Sequence, residues 1–294
     1  MSLFAAPGRA ARTSEWGTEL LDLDAYVTRL RDRGPLDASA PTLRRLHRAH
    51  VMAIPFENID AALGRGIQLD QTSIQAKLLH RRRGGYCHEH NLLFGCVLER
   101  LGFCVTRLLT RVCQADGTVL PRGHASLLVE ADGCVWLADV GFGGGGPLEP
   151  IPLVPDVTVR QAGWLYRVVE DAGCWTLEIG GRGGWRGLYA FSRLEFRQAD
   201  FAMANYFTST HLSSPFATQV LAYRTGADGA RYGLNGLELT VQRPGDGIVR
   251  RSLHVEQVPQ VLERVFGVQL PAADRLKVCD LLRAGRRVED TFAP

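Results

Sequence analysis

Between residues 24 and 102 the apolar side chains recur at intervals of three and four, and beyond 102 they alternate one by one. The first spacing aligns side chains on one face of a helix and the second on one face of a strand. Asp24 can cap a helix bearing Tyr26, Val27 and Leu30 that stops at Gly34-Pro35, and Pro41 opens a second with Leu43, Leu46, His47 and His50 on its stripe. A third helix is predicted over 72–80, and a fourth runs from Cys87 through Leu93, Val97 and Leu101 to Gly102. Alternation then predicts strands over 105–112, 124–129 and 135–140, before the glycine-rich segment 141–146 and the breakers Pro147, Pro150 and Pro152. Further strands are expected over 165–169, 175–179, 223–225 and 237–241, and closing helices over 258–266 and 272–284. Residues 1–20 are small and polar enough to predict a flexible lead-in. A helical start, a β-rich middle and a mixed end make an α+β arrangement with joins near 100 and 200.

Composition narrows the function classes. The 294 residues carry 46% hydrophobic and 22% charged side chains, which is ordinary for a globular chain. A net charge of +3, with arginines not interleaved with aromatics, gives no reason to expect a nucleic-acid partner. No apolar run approaches the roughly 18 residues a membrane span needs, so no membrane partner is expected either. Seven cysteines, an odd number without a C-x-x-C pair, predict reduced thiols in a cytoplasmic protein.

One cysteine stands apart. Arg83-Gly84-Gly85-Tyr86-Cys87 places Cys87 after two glycines and at the predicted start of the fourth helix. Unpaired N–H groups and partial positive charge at a helix start stabilise a thiolate, while the glycines allow a sharp turn and close approach of a substrate. Cysteines are also common packing residues, so position alone leaves both readings open.

A nucleophile needs a base, and a histidine base needs an acceptor on its far nitrogen. Asp132-Gly133 is a favoured two-residue hairpin turn. With that turn Ala131 faces Cys134, Ser126 faces Asp139, and His124, Ser126 and Asp139 share one face. His124 becomes the diagonal neighbour of Asp139, about 7–8 Å away between backbones and within side-chain reach. The residues so assembled are Cys87, His124 and Asp139.

Two other patterns are set aside. Gly141 to Gly146 formally satisfies G-x-G-x-x-G after a strand, but the prolines that follow forbid the helix a dinucleotide site requires. His88 and His90 lie two apart on divergent sides of a helix and H-E-x-x-H is absent, so no metal is expected. His90 and Asn91 are expected to satisfy local hydrogen bonds, and His47 and His50 to be structural.

At this point a family likeness emerges. Arg83 to Cys87 reads R-G-G-Y-C, Pro55 to Asn58 reads P-F-E-N, His124 starts a strand, and Asp139 to Gly143 reads D-V-G-F-G. Ser209 to Phe216 approximates S-T-x-x-x-S-x-F with the second serine shifted or doubled. In these motifs the chain resembles the arylamine N-acetyltransferases over residues 20–290. The resemblance implies a helical domain over 1–102 carrying the cysteine, a β-barrel over 103–200 carrying the histidine and aspartate, and an α/β lid over 201–294. The core is then like that of cysteine proteases and transglutaminases.

It further implies acetyl-coenzyme A as donor and a ping-pong reaction through an acetyl-Cys87 intermediate to an arylamine or arylhydrazine. His124 would move protons and Asp139 would orient it. Phe56, Val112 and Phe142 would line the acceptor pocket, and Phe142, Gly143, Phe207, Thr210 and Ser213 would contact coenzyme A. Arg83 would pair with Glu57. Three departures stand out: His88 where an aromatic or apolar residue is frequent, Phe207 where some members carry tyrosine, and a short 113–123 loop. An amide synthase closing a polyketide lactam and a cysteine hydrolase are the alternative activities, and monomer and homodimer are both open.

Overall fold

The computed structural model describes residues 14–291, with side chains as far as Gly285. Most of the expected lead-in lies outside these residues. The described part of it is not loose: Trp16 is buried edge-on against Phe201 and under the Arg107 guanidinium, 4.4 Å from the ring centre, ahead of a 3-10 turn at Thr18–Leu20.

Helices come first. α1 is Leu23–Leu30 and α2 is Ala40–Ala53. The cap of α1 is Asp22 rather than Asp24, because the Asp22 carboxylate accepts from the Ala25 N–H and Asp24 is already inside the first turn. Ser39 caps α2 by accepting from Thr42 N–H, with Pro41 in the first turn. The short strand β1 (Phe56–Glu57) and helix α3 (Ile59–Ala62) follow, and then α4 (Gln71–Gln75) runs on into a π-helical turn at Ala76–His80. α5 (Cys87–Arg100) is buried on every side from Cys87 to Leu98, so it shows no polar stripe.

Strands β2 (Cys104–Val112), β3 (His124–Ala131), β4 (Cys134–Ala138), β5 (Ile151–Pro152), β6 (Val159–Gln161), β7 (Trp164–Asp171), β8 (Cys174–Gly181) and β9 (Gly184–Phe191) form one antiparallel sheet, ordered β5-β4-β3-β2-β9-β8-β7-β6. A bridge between Pro155 and Val168 brings its ends towards each other, and the sheet is nearly a closed barrel. Asp132 and Gly133 both have positive φ (50° and 73°), and Ala131 pairs with Cys134 and Leu127 with Ala138, the register deduced from the turn. The parity sorts the core. Ala125, Leu127 and Val129 face α2 and α5, whereas Leu128 and Leu137 face the barrel interior with Tyr166, Leu177 and Leu188.

After the barrel come α6 (Gln198–Thr210) and α7 (Pro215–Thr218). Strands β10 (Leu221–Thr225), β11 (Arg231–Asn235), β12 (Glu238–Gln242) and β13 (Ile248–Ser252) then extend β1 into a five-stranded sheet, covered by α8 (Val258–Arg264) and α9 (Ala272–Thr291). Among the described residues no helix is long and apolar enough to cross a membrane.

Candidate active site

The start of α5 is held by charge as well as by packing. Glu89, in the third helical position, accepts from the Tyr86 N–H at 3.1 Å, the half of a capping box that a glutamate supplies. Its carboxylate is pinned in turn by Lys77 Nζ at 3.0 Å, delivered from the π-helical turn. Burial works against the Lys77 charge, but Glu89, Glu57 and Asp60 outweigh it and hold the ammonium well above its ordinary range. Arg83 pairs with Glu57 at 2.7 Å, as the sequence led one to expect, and the Glu57 N–H donates to Gly85 O. The glycines are needed for space. A Cβ on Gly84 would lie 2.1 Å from the Pro55 carbonyl oxygen, and one on Gly85 2.8 Å from the Glu89 carboxylate.

Cys87 therefore sits on a fixed turn, 4% exposed. His124, from the first position of β3, bonds Asp139 through Nε2 at 2.7 Å, and its ring also meets the Cys87 thiol. Asp139, just past β4, is 1% exposed. Three hydrogen bonds besides that to the imidazole fix it: Asn91 Nδ2 and the Gly141 N–H, each 2.9 Å from Oδ1, donate to the carboxylate, while its own N–H donates to His47 Nε2 at 3.0 Å.

Burial works against a thiolate at Cys87, but His88 and His124 more than offset it and bring the thiol down to about 6. Burial also opposes an imidazolium at His124, yet Asp139 and Cys87 raise it to about 10. Burial pushes the Asp139 carboxyl up, and His124, Asn91 and Gly141 bring it net below the usual carboxylate range. Near neutral pH the favoured state is a thiolate beside an imidazolium beside a carboxylate, an arrangement suited to nucleophilic attack on an acyl carbon.

Phe142 closes over this group edge-on, its ring centre 5.0 Å from that of His124. The glycine loop lies flat on the helix start: a Cβ on Gly141 would stand 2.9 Å from Cys87 Cα. Gly143, at φ 79°, presses against Phe56 and Tyr223. No helix follows the loop, in keeping with the rejection of a dinucleotide site. Phe56 is buried among His90, Phe216 and Tyr223. Val112 is half-buried opposite Tyr189, whose ring centre is 4.9 Å from that of His124. Phe207, Thr210 and Ser213 gather instead at the end of α6. There Phe207 stacks on His211 at 4.6 Å and Ser213 shares a 2.7 Å hydrogen bond with His211, while Thr210 and Ser213 are exposed.

Several supporting residues escape sequence reasoning. Asn91 does not bond locally: besides Asp139 it donates to Ala125 O at 2.7 Å and accepts from Val140 N–H, stitching α5 to both strands of the hairpin. A signal was present, since Asn91 lies four residues after Cys87 and so on its helix face. His47 also reaches the site, accepting from Asp139 N–H while its Nδ1–H donates to Leu148 O at 3.0 Å. Tyr189, a ladder neighbour of Val112, faces Asp139 and Ser126 with its hydroxyl. His88 and His90 diverge as expected, His88 to Gly123 O and His90 to the carbonyls of Pro55 and Gly85.

Comparison with known proteins gives this geometry a context. A family model for N-acetyltransferases matches residues 39–275. The arylamine N-acetyltransferase of Escherichia coli K12 is 37% identical over 248 residues, which cover 84% of this chain and 88% of that protein. Among solved structures, the arylamine N-acetyltransferase of Mycobacterium abscessus superposes with a TM-score of 0.88 at 36% identity, covering 95% of this chain and 99% of the other. The Mycobacterium marinum arylamine N-acetyltransferase in complex with CoA gives 0.81 at 35% identity, covering 90% and 97%. With a match of this extent, in sequence and in fold, the chain belongs to the arylamine N-acetyltransferases, a family of acyltransferases with a cysteine-protease-like core.

Proposed function

We propose that the protein moves an acetyl group from acetyl-coenzyme A to an arylamine or arylhydrazine by way of Cys87. The observation that carries this reading is the 2.7 Å contact of His124 with Asp139, together with the mutual stabilisation of the Cys87 thiolate and the His124 imidazolium. In the first half-reaction the Cys87 thiolate attacks the thioester carbonyl. The new carbon–sulfur bond forms on Cys87, the old one breaks, and the departing coenzyme A thiolate takes the proton from the His124 imidazolium. In the second half-reaction the amine nitrogen attacks the acetyl-Cys87 carbonyl, neutral His124 removes the amine proton, and the thiolate leaves to restore the starting pair. Splitting the transfer in this way replaces one difficult step with two easier ones. In this reading Asp139 keeps the imidazole oriented and offsets its charge, and unpaired N–H groups at the start of α5 would receive the negative oxygen of each tetrahedral intermediate.

The lining supports an aromatic acceptor and a coenzyme A carrier. Phe56 against Gly143, Phe142 over His124, and Val112 opposite Tyr189 supply apolar surface near the Cys87–His124 pair. Gly143 with Phe142, and the exposed hydroxyls of Thr210 and Ser213 near Phe207, are assigned to the carrier. In this reading residues 1–102 provide the nucleophile, 103–200 the base and carboxylate, and 201–294 the lid, tied to the first part where Phe56 pairs with Tyr223. Free thiols at the described cysteines suit a cytoplasmic setting.

Mass spectrometry of the intact protein mixed with acetyl-coenzyme A and no acceptor tests the proposal. A single acetyl group that maps to Cys87, persists until an arylamine is added, and is absent from Cys87→Ser is expected. Continuous release of acetate without any amine would overturn transfer in favour of hydrolysis.

A further inference from the structure

His88 follows Cys87 directly and lies outside the histidine–aspartate couple. Its ring is fully buried, stacked on Tyr86 at 5.4 Å and met edge-on by Phe201 at 5.8 Å. Nε2 lies 2.8 Å from the carbonyl oxygen of Gly123. A carbonyl only accepts, so Nε2 must carry a proton. Nδ1 is buried and has no hydrogen-bond partner among the described residues. A phenyl ring would fill the same space without leaving a polar atom bare, so packing alone does not account for histidine at this position.

The Gly123 carbonyl is the common element. It belongs to the residue preceding His124, and the Cys87 sulfur lies 3.8 Å from the same oxygen. Two donors thus share one carbonyl, and the His88 N–H at 2.8 Å holds it far more closely than the sulfur at 3.8 Å. A thiol that donates to Gly123 O keeps its proton away from His124, whereas a carbonyl already accepting from the His88 N–H is a weaker second acceptor and yields the thiol proton to the base more readily.

We propose that His88 is a positioning residue for Cys87: by engaging the Gly123 carbonyl and turning a polar ring towards the sulfur, it directs the thiol proton to His124 and favours the thiolate. This rests on Cys87 being the acyl carrier. Burial raises the Cys87 thiol, and His88 brings it down more than His124 does. The other groups facing the sulfur are few. His124 comes from β3 with Asp139 behind it, Tyr86 comes from the helix start with Glu89 behind it, and α6 offers uncharged Phe201 beside His88 and Thr208 beside Gly123. His88 is therefore the one donor in this set that addresses the competing carbonyl.

Alkylation of Cys87 by iodoacetamide, followed across pH by the mass of the Cys87 peptide, reads thiolate formation without any acetyl donor. The wild-type rate should inflect near 6. His88→Phe should move the inflection up by about one pH unit and slow alkylation at pH 6 about tenfold, since one unit is tenfold in thiolate fraction. His88→Gln, which restores an N–H donor, should recover most of that loss. An unchanged inflection in a folded Phe variant overturns the proposal, and so does an equal loss in the Phe and Gln variants. Nitrogen-15 NMR of the unaltered protein gives a check free of folding defects: the proton must reside on His88 Nε2, and a proton on Nδ1 alone would also overturn it. Failure of acetyl-Cys87 to form in the wild-type protein would refute the acyl-carrier reading separately, leaving the alkylation profile to be judged by itself.

Discussion

At the scale of single residues, the site rests on opposed effects that nearly cancel. Burial alone would keep Cys87 a thiol and His124 neutral, and the proximity of opposite charges reverses both. Because the two titrate as a pair, acylation should rise as pH climbs through about 6, where the sulfur ionises, and fall as pH passes about 10, where the imidazolium loses its proton. Single-turnover rates from pH 5 to 10.5 measure both limbs, and a rate flat across pH 6 would contradict the ionisation described. Asp139→Asn should leave the fold in place and slow acylation by about 10³- to 10⁴-fold, because the amide permits the wrong histidine tautomer. Cys87, His124 and Asp139, which the structure brings together, were legible in the sequence because a motif, a strand start and a strand end each mark one of them. Asn91 and His47 were not, since their roles depend on contacts across 48 and 92 positions of chain.

Among the secondary-structure elements, legibility follows how regular the pattern is. The β3–β4 hairpin could be deduced to the residue because Asp132-Gly133 dictates a two-residue turn and a parity. Strand β9 was missed. A register shift against β8 between Leu177 and Glu178 lets Leu188 and Tyr189 both be buried, which erases alternation in a segment that already contains Gly184 and Gly187. Helix α6 was missed for the opposite reason: Met203 and Tyr206 are apolar yet exposed, so no polar face marks it. The glycine loop carries a prediction of its own. Gly141 has no positive φ that would require glycine, and what a side chain would meet there is the backbone of Cys87. Gly141→Ala should therefore cost about 1–3 kcal/mol through overpacking and shift the loop off the helix start. Urea unfolding together with Cys87 acylation would show both effects, and wild-type values in each would remove the close approach as a constraint.

For the molecule as a whole, buried histidines set the response to acid. His47, His50 and His90 are fully enclosed and held neutral, chiefly by burial, with His47 and His90 lowered to about 4. Their pKa values in the folded chain lie below the unfolded value near 6.5, so the unfolded chain binds more protons between the two. Stability is then full above about 6.5 and falls as pH drops towards 4, by about 3 kcal/mol each for His47 and His90. His124 runs the other way, its pKa being raised: its contribution is full below about 6.5, declines as pH rises towards 10, and is level across the acid window. Denaturant melts between pH 7 and 4 should show this loss, and replacing His47 by an isosteric neutral residue should flatten part of it.

Two of these rings belong to a line of hydrogen bonds that runs in one direction. The Tyr26 hydroxyl donates to His50 Nδ1 at 2.9 Å, His50 Nε2–H to His90 Nδ1 at 2.8 Å, and His90 Nε2–H to Gly85 O at 3.1 Å, beside the nucleophile's turn. The terminal carbonyl only accepts, which forces every earlier proton into place. Shut away from bulk water, the imidazole protons of His50 and His90 should exchange slowly enough to give separate downfield NMR signals at neutral pH. They would act as built-in beacons, reporting any shift of the Gly84-Gly85 backbone when the neighbouring sulfur becomes acylated.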